Sequence, residues 1–276
     1  MPSGSAAVGP DELRGPAWLF CPADRPDRYG KALAAADLVI LDLEDAVAPD
    51  QKPAARAALL ANPLDADRVI VRVNAAGTAD HAEDLDVLRR TGYRRVMLPM
   101  TSGPEDTAGL AGWDVIALCE TPAGVVNAPR IAAAEAVVAL MWGAEDLVAA
   151  IGGQSSRFAE GRYRDVARHA RSSVLLAAAM CGRAAVDAVY LDIPDLDGLA
   201  AEADDAVASG FAYKACIHPS QAEVIRTAFR PGPERVAWAE RVLAAMTAGG
   251  VATVDGQMVD APLIQQARHI LGRRRP

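Results

Sequence analysis

The chain has 276 residues and a formal net charge of −8. That length suffices for one large domain or two small ones with a buried core. The acidic balance argues against general nucleic-acid binding, which needs a basic face, and no apolar run reaches the ~18 residues of a membrane-crossing helix.

The opening "MPSGSAAVGPDELRG" lacks a basic stretch followed by an apolar core. It reads as a flexible tail over residues 1–15 rather than a signal peptide. Eight short apolar runs follow in order: "AWLFCP" at 17, "LVILDL" at 38, "RVIVRV" at 68, "RRVMLP" at 94, "DVIALC" at 114, "AVVALMW" at 136, "DAVYLD" at 187 and "AYKACI" at 212. Continuous apolar runs are expected of strands covered on both faces. Ala-, Leu- and charge-rich stretches lie between them and read as helices. "PSQAEVIRTAF" follows the last run, with Ser220 as a candidate N-cap.

Eight βα units predict an α/β protein, a (β/α)8 barrel over residues 16–230. A doubly wound open sheet is the alternative if the strand count is off by one or two. The long gap "AAIGGQSSRFAEGRY" reads as a mobile βα loop, either a plain surface loop or a lid over substrate. Residues 231–276 exceed what a barrel needs. Gly249, Gly250 and Gly256 divide this C-terminal arm into helix, turn or short hairpin, and a last helix. It packs either on its own barrel or on a neighbour's. The basic run Arg273–Arg275 reads as a solvated tail. Cys21, Cys119, Cys181 and Cys216 show no CxxC spacing. They read as small buried side chains in a reducing, cytoplasmic compartment, not as a zinc site.

The C-terminal strand ends of a parallel barrel form its active-site face. Here those ends carry Asp24 and Arg25, then Asp42, Glu44 and Asp45, then Arg72 and Asn74, then Glu120, then Glu145 and Asp146, then Asp192, then His218. Alternation would point Arg72 the same way as Asn74. Converging carboxylates repel, and a divalent cation with hard oxygen ligands resolves the repulsion. The residues alone leave alternatives open. Asp146 could be only a helix N-cap, and Glu44 and Asp45 could be paired with basic side chains. His218 reads more simply as a structural hydrogen-bonder than as a base. Glu120 is harder to dismiss, because Thr121 is better placed to cap the next helix. No Ser/His/Asp elbow, P-loop or GxGxxG follows any run, which weakens hydrolase, kinase and dinucleotide readings.

"FCPADRPDRYGKA", "VILDLEDAV", "VRVN", "ALCETPAG", "GAEDL", "CIHPSQ" and "GQMVDAP" stand in this order from about Trp18 to Leu271. As a set they resemble the citrate lyase β-subunit-like (CitE-like) branch of the HpcH/HpaI aldolase family, with its malyl-CoA and citramalyl-CoA lyases. The likeness is strongest to short, stand-alone actinobacterial CitE-like proteins. The resemblance implies a Mg2+-dependent carbon–carbon lyase or synthase, with Mn2+ as a possible substitute. Its substrates would be short hydroxyacyl-CoA thioesters of citramalyl, malyl or citryl type. Its partners would be an acyl-CoA and a 2-keto acid such as oxaloacetate, pyruvate or glyoxylate.

Carried over residue by residue, the resemblance makes Glu120 and Asp146 the metal ligands. Arg72 would bind the keto or hydroxyl oxygen, and Glu44 and Asp45 would support the metal's water shell and Arg72. The backbone of Gly143, Ala144, Glu145 and Asp146 would hold the substrate carboxylate. Arg25 and Lys31 would lie toward the CoA phosphates. Asp260 would reach a neighbouring subunit's active site as an acid/base group, in a homotrimer or a hexamer of paired trimers. Other readings are a β-subunit of a multi-subunit citrate lyase, a CoA-independent class II pyruvate aldolase, and a non-catalytic binding subunit. Two positions depart from the family pattern. Pro99-Met100 stands where Pro-Lys is usual, and "PADRP" stands where many relatives have "PGNRP".

Overall fold

The computed structural model of the protein describes residues 13–247 and 253–274. The chain divides into two compact units, one ending at Ile225 and the other beginning at Arg226.

The first unit is built on eight strands: β1 (Ala17–Pro22), β2 (Leu38–Asp42), β3 (Val69–Arg72), β4 (Arg95–Leu98), β5 (Asp114–Cys119), β6 (Val137–Trp142), β7 (Ala184–Asp187) and β8 (Tyr213–Cys216). Each pairs in parallel with its sequence neighbour. The ring closes where Ala17, Trp18 and Leu19 of β1 pair with Lys214, Ala215 and Cys216 of β8. That closure excludes the open sheet and makes the unit a (β/α)8 barrel. The strands are buried on both faces, which is why they read as unbroken apolar runs. Trp18, Ile40, Ile70, Met97, Ile116, Met141, Val186 and Tyr213 belong to one buried cluster. Within it the Trp18 and Tyr213 rings stack 4.5 Å apart.

The connecting helices are α1 (Pro26–Ala35), α2 (Lys52–Ala61), α3 (Ala79–Leu88), α4 (Pro122–Ala132), α5 (Ala144–Ala150), α6 (Asp165–Met180), α7 (Leu196–Ser209) and α8 (Pro219–Phe229). The spacing of units is less regular than the sequence reading expected. β4 and β5 are joined by only a short 3-10 turn, Pro104–Thr107. Gly103, Pro104, Gly109 and Gly112 crowd that connection, and such residues disfavour a full helix. β6 and β7 are joined by two helices, α5 and α6.

β7 also sits earlier than "DAVYLD" implied. It ends at Asp187 instead of beginning there, so Asp192 lies beyond the strand in an exposed position. An aspartate can end a buried strand because the Lys214 and Arg171 side chains neutralise it. Ser220 lies inside the first turn of α8, which starts at Pro219. It is therefore not the N-cap, and its hydroxyl lies 2.8 Å from His218 Nδ1 instead. Of the expected tail, residues 1–12 lie outside the described residues. Leu13 is buried, and its carbonyl accepts from Tyr213 Oη at 3.2 Å.

The second unit contains α9 (Pro233–Thr247), a hairpin of β9 (Thr253–Val254) and β10 (Gln257–Met258), and α10 (Ala261–Gly272). Ala239, Val242, Ala267 and Ile270 form its small core. The hairpin turns through Asp255 and Gly256, at φ 50° and 80°. Two successive positive φ values suit a tight two-residue turn, and Asp-Gly tolerates them. Gly249 and Gly250 lie outside the described residues.

Among the described residues no helix is long and apolar enough to cross a membrane. The four cysteines are free, and Cys21, Cys119 and Cys216 are buried.

Candidate active site

The C-terminal mouth of the barrel is organised by one clamped arginine. Arg72 and Asp42 occupy paired positions at the ends of β3 and β2. Arg72 Nε donates to Asp42 Oδ1 at 2.7 Å, and Nη2 donates to Oδ2 at 2.6 Å. A planar fork meeting a carboxylate in this way fixes direction as well as charge. Asp42 is fully enclosed and also accepts the backbone N–H groups of Glu44 and Ala46, at 2.9 and 3.2 Å. Arg72 Nη1 lies 2.9 Å from Glu44 Oε2, an ion pair without hydrogen-bond alignment. The guanidinium rests over the Phe20 ring, 4.9 Å from its centroid. Burial lowers the Arg72 pKa, but the bonds to Asp42 and the nearby acids outweigh it and leave the pKa raised.

Glu120 follows β5 and is 3% exposed. Its Oε1 accepts the Met100 N–H at 2.9 Å. Met100 holds φ at 54°, a left-handed conformation that side chains rarely adopt. Strain of this kind is kept where the surroundings enforce it. Here the enforced geometry aims an amide at a buried carboxylate. Thr121 caps α4, accepting from Gly124 N at 2.9 Å, so Glu120 is free of that duty as expected.

Gly143 stands beside Glu120, because β5 and β6 pair Cys119 with Trp142. A Cβ on Gly143 would lie 2.7 Å from Glu120 Oε2 and 2.8 Å from its Cβ. The glycine is required by the approach of Glu120, not by its own backbone, which is ordinary extended chain. Gly143 is also the N-cap residue of α5. The reading of Asp146 as the cap therefore does not hold, and Asp146 stands in the helix's first turn beside Ala144 and Glu145. Asp146 and Glu145 are exposed, and Glu145 Oε1 accepts from Ser156 Oγ at 2.5 Å.

These groups share one field. Burial pushes the Glu120 carboxyl well above its usual range. The Met100 amide opposes the shift, Asp146 and Glu44 add to it, and Arg72 opposes it. Glu44 is pushed up to about 7, first by burial, with Arg72 opposing and Asp45, Asp42 and Asp146 adding.

The other expected residues are placed differently. Asp45 is exposed on the loop after β2. Arg25 is exposed and paired with Asp27 at 2.9 Å, and Lys31 is exposed on α1. Asn74 does not join Arg72. It is buried, donates to Asp84 Oδ2 at 2.7 Å and to the Leu43 carbonyl at 3.1 Å, and accepts from Lys52. β3 ends at Arg72, so strand alternation no longer governs Asn74. Asp260, in the second unit, is an exposed N-cap of α10 that accepts Leu263 N–H at 3.1 Å. Asp42 was visible in the sequence only as one acid among several. Its role depends on strand register, which a single sequence does not display.

A divalent cation fits this mouth. Among the described residues no three His, Cys, Asp or Glu side chains form a ready-made metal cluster. The mouth offers two carboxylates, Glu120 and Asp146, and a buried Glu44 oxygen that accepts no hydrogen bond and is met only by the Arg72 ion pair. Mg2+ typically takes one or two carboxylates and fills its shell with waters and substrate oxygens.

A pH effect follows without any cation. The Glu44 carboxyl is near 4.5 when unfolded and about 7 when folded. The folded protein therefore holds the extra proton between those values. Its contribution to stability is full below about 4.5 and is lost as pH rises through 7. In chelator-treated protein, denaturant unfolding should show stability falling by about 2 kcal/mol from pH 5.5 to 8. Glu44→Gln should remove this part of the fall. A wild-type profile that rises across this interval would refute the assignment.

Comparison with known proteins places these features in a family. The family model for HpcH/HpaI aldolase/citrate lyase matches residues 17–113 and 109–219. A citrate lyase subunit beta-like protein of Mycobacterium tuberculosis is 58% identical over 260 residues, covering 94% of this chain and 95% of its own. A (3S)-malyl-CoA thioesterase of Cereibacter sphaeroides is 34% identical, covering 92% and 93%. Among solved structures, CitE of Mycobacterium tuberculosis in complex with magnesium, acetoacetate and coenzyme A superposes with a TM-score of 0.91. It is 57% identical and covers 95% of this chain and 99% of that one. The chain is a lyase and belongs to the HpcH/HpaI aldolase/citrate lyase family.

Proposed function

We propose that this protein is a Mg2+-dependent lyase or synthase of short hydroxyacyl-CoA thioesters, making or breaking the carbon–carbon bond between an acyl-CoA and a 2-keto acid. One observation carries the reading. The Glu120 carboxylate is buried beside Asp146 and Glu44, while Arg72, their nearby cation, is already clamped by Asp42. The relative bound to magnesium, acetoacetate and coenzyme A supports the same ligand classes.

Glu120 and Asp146 would hold Mg2+, or Mn2+ in its place, with Glu44 and Asp45 supporting its waters. When bound, the cation supplies Lewis-acid polarisation of the keto-acid carbonyl. The backbone of Gly143, Ala144, Glu145 and Asp146 receives the substrate carboxylate. Arg72 has five N–H groups, and Asp42 takes two of them. Nη1 also faces Glu44 Oε2 at 2.9 Å, and the N–H groups left over can donate to the oxygen on which charge develops, from an orientation set before substrate arrives. Arg25 and Lys31 are assigned to the CoA phosphates.

Asp260 is assigned the α-proton of the acyl-CoA in synthesis and its return in cleavage. It would act from a neighbouring subunit of a homotrimer, or of a hexamer. Asp260→Asn should lower kcat by at least ~10³-fold while Mg2+ and keto-acid binding, read by calorimetry, stay unchanged. Near wild-type turnover in that variant would remove Asp260 from the mechanism. We assign the protein to the cytoplasm, where its free cysteines stay reduced.

The deciding experiment is a mass-spectrometric screen of acyl-CoA and keto-acid pairs with Mg2+. It should detect a condensed thioester whose formation stops on chelation. CoA-free product would add hydrolysis, as the name of the 34% identical thioesterase invites. Turnover of free aldehydes with pyruvate alone would favour a CoA-independent aldolase. Recovery of a stoichiometric transferase and carrier protein would favour a citrate lyase subunit.

A further inference from the structure

The segment between α5 and α6, whose composition reads as a mobile loop, makes defined contacts of its own. Ser156 is 2% exposed and Tyr163 is 8% exposed. Arg157 and Tyr163 form an antiparallel bridge, and Arg157 Nη1 donates to the Gly161 carbonyl at 2.8 Å. Tyr163 Oη donates to Glu202 Oε1 at 3.4 Å and its ring meets Trp142 edge-on at 5.1 Å, and two further side chains tie this segment to the barrel. Ser156 Oγ donates to Glu145 Oε1 at 2.5 Å. Arg157 Nη2 lies 2.7 Å from Glu202 Oε2, and its guanidinium stacks over Tyr163 at 3.6 Å.

The second tie continues inward. Glu202 Oε1 accepts from Lys214 Nζ at 2.9 Å. Lys214, wholly buried, also donates to Asp187 Oδ2 at 3.0 Å. Asp187 Oδ1 accepts the Trp142 indole N–H at 2.8 Å. Trp142 immediately precedes Gly143. The chain of contacts thus leaves the stretch Trp142–Asp146 through Glu145 and returns to it through Trp142.

This arrangement answers a local need. α5 has only seven residues, and its N-cap is Gly143, which has no side chain to satisfy the first turn. A short helix without a side-chain cap holds its first turn weakly. Yet Asp146 stands in that turn, and Glu120 packs against the glycine that opens it.

We propose that Glu145, Ser156 and Arg157 are positioning residues: the segment 152–163 is a strap whose ties to Glu145 and Glu202 hold the Gly143–Asp146 turn in the geometry that binds the cation. The metal part of this inference rests on the function proposed above; the mechanical part does not. Glu145 therefore has a task that needs no contact with substrate. Its carboxylate is an acceptor for Ser156, so glutamine, which keeps an acceptor oxygen, can replace it.

The test compares wild type with E145A, S156A, the double variant, E145Q and R157A. Amide hydrogen exchange of the metal-free proteins should accelerate about tenfold over residues 143–148 in E145A and S156A, with the barrel strands unchanged. In R157A the acceleration should extend over 152–163. Mg2+ affinity by calorimetry should fall about tenfold in E145A, S156A and R157A. The double variant should lose no more than either single one, because both remove the same bond. E145Q should stay within about threefold of wild type. If E145Q is as impaired as E145A while S156A is silent, only the charge of Glu145 matters and the strap is refuted. Unchanged exchange in S156A refutes it as well. If E145A fails to fold, S156A and R157A carry the same comparison. If wild type binds no Mg2+ but the exchange pattern holds, the strap stands and the proposed function fails.

Discussion

Replacing Glu120 with glutamine should make the metal-free protein more stable and inactive. Glutamine keeps the size that fits against Gly143 and retains an oxygen for the Met100 amide. What it removes is a negative charge that burial, Asp146 and Glu44 all disfavour. Relief of that repulsion should raise unfolding stability in chelator. The same charge is the proposed cation ligand, so Mg2+ affinity should fall by at least ~100-fold and kcat/KM by ~10³-fold or more, roughly 4 kcal/mol of transition-state stabilisation. Asp146→Ala should cost comparable activity with a smaller gain in stability, since Asp146 is exposed. Calorimetry and denaturant unfolding on the same samples check both halves. Unchanged Mg2+ binding in both variants would remove the ligand assignment. A Glu120→Gln protein less stable than wild type would refute the account of strain at the barrel mouth.

The second large effect is expected at Arg72. Arg72→Met leaves Asp42 enclosed without its cation, and breaking a buried pair from one side costs about 3–5 kcal/mol. For a unit of this size that corresponds to a fall in Tm of about 10 °C. Arg72→Lys keeps the charge but cannot span both Asp42 oxygens with a planar fork. It should keep most of the stability and still lose kcat by ~10²-fold, because the donor aimed at the developing oxyanion is no longer held in direction. Asp42→Asn separates the two roles. It leaves Arg72 in place and removes half of its clamp, so kcat should fall while the chemistry of the substrate contact is intact. Equal activity in Arg72→Lys and wild type would show that charge alone suffices.

The eight-stranded architecture was legible because strands covered on both faces must be apolar throughout. Seven of the eight runs coincide with strands to within one or two residues. The exception is instructive. Asp187 interrupts an apolar stretch, and locally a charge reads as an edge. Only Lys214 and Arg171, brought from elsewhere in the unit, let it end a buried strand. The missing helix between β4 and β5 was encoded in plain view by its glycines and Pro104. The regularity expected of a barrel masked it.

At the mouth, the chain order named the residues at most of the strand ends, though not at β7, and it singled out Glu120 by leaving the capping of α4 to Thr121. Tertiary structure decided what those residues do to one another. Strand register sets Asp42 against Arg72 and Glu120 against Gly143. The segment 152–163 folds back so that Ser156 meets Glu145. A period of two or of 3.6 is a local property, written in successive residues, and it suffices to specify elements. Which side chain meets which charge depends on residues far apart in the chain, 30 positions for Asp42 and Arg72 and 45 for Trp142 and Asp187. Only the closed barrel brings those together.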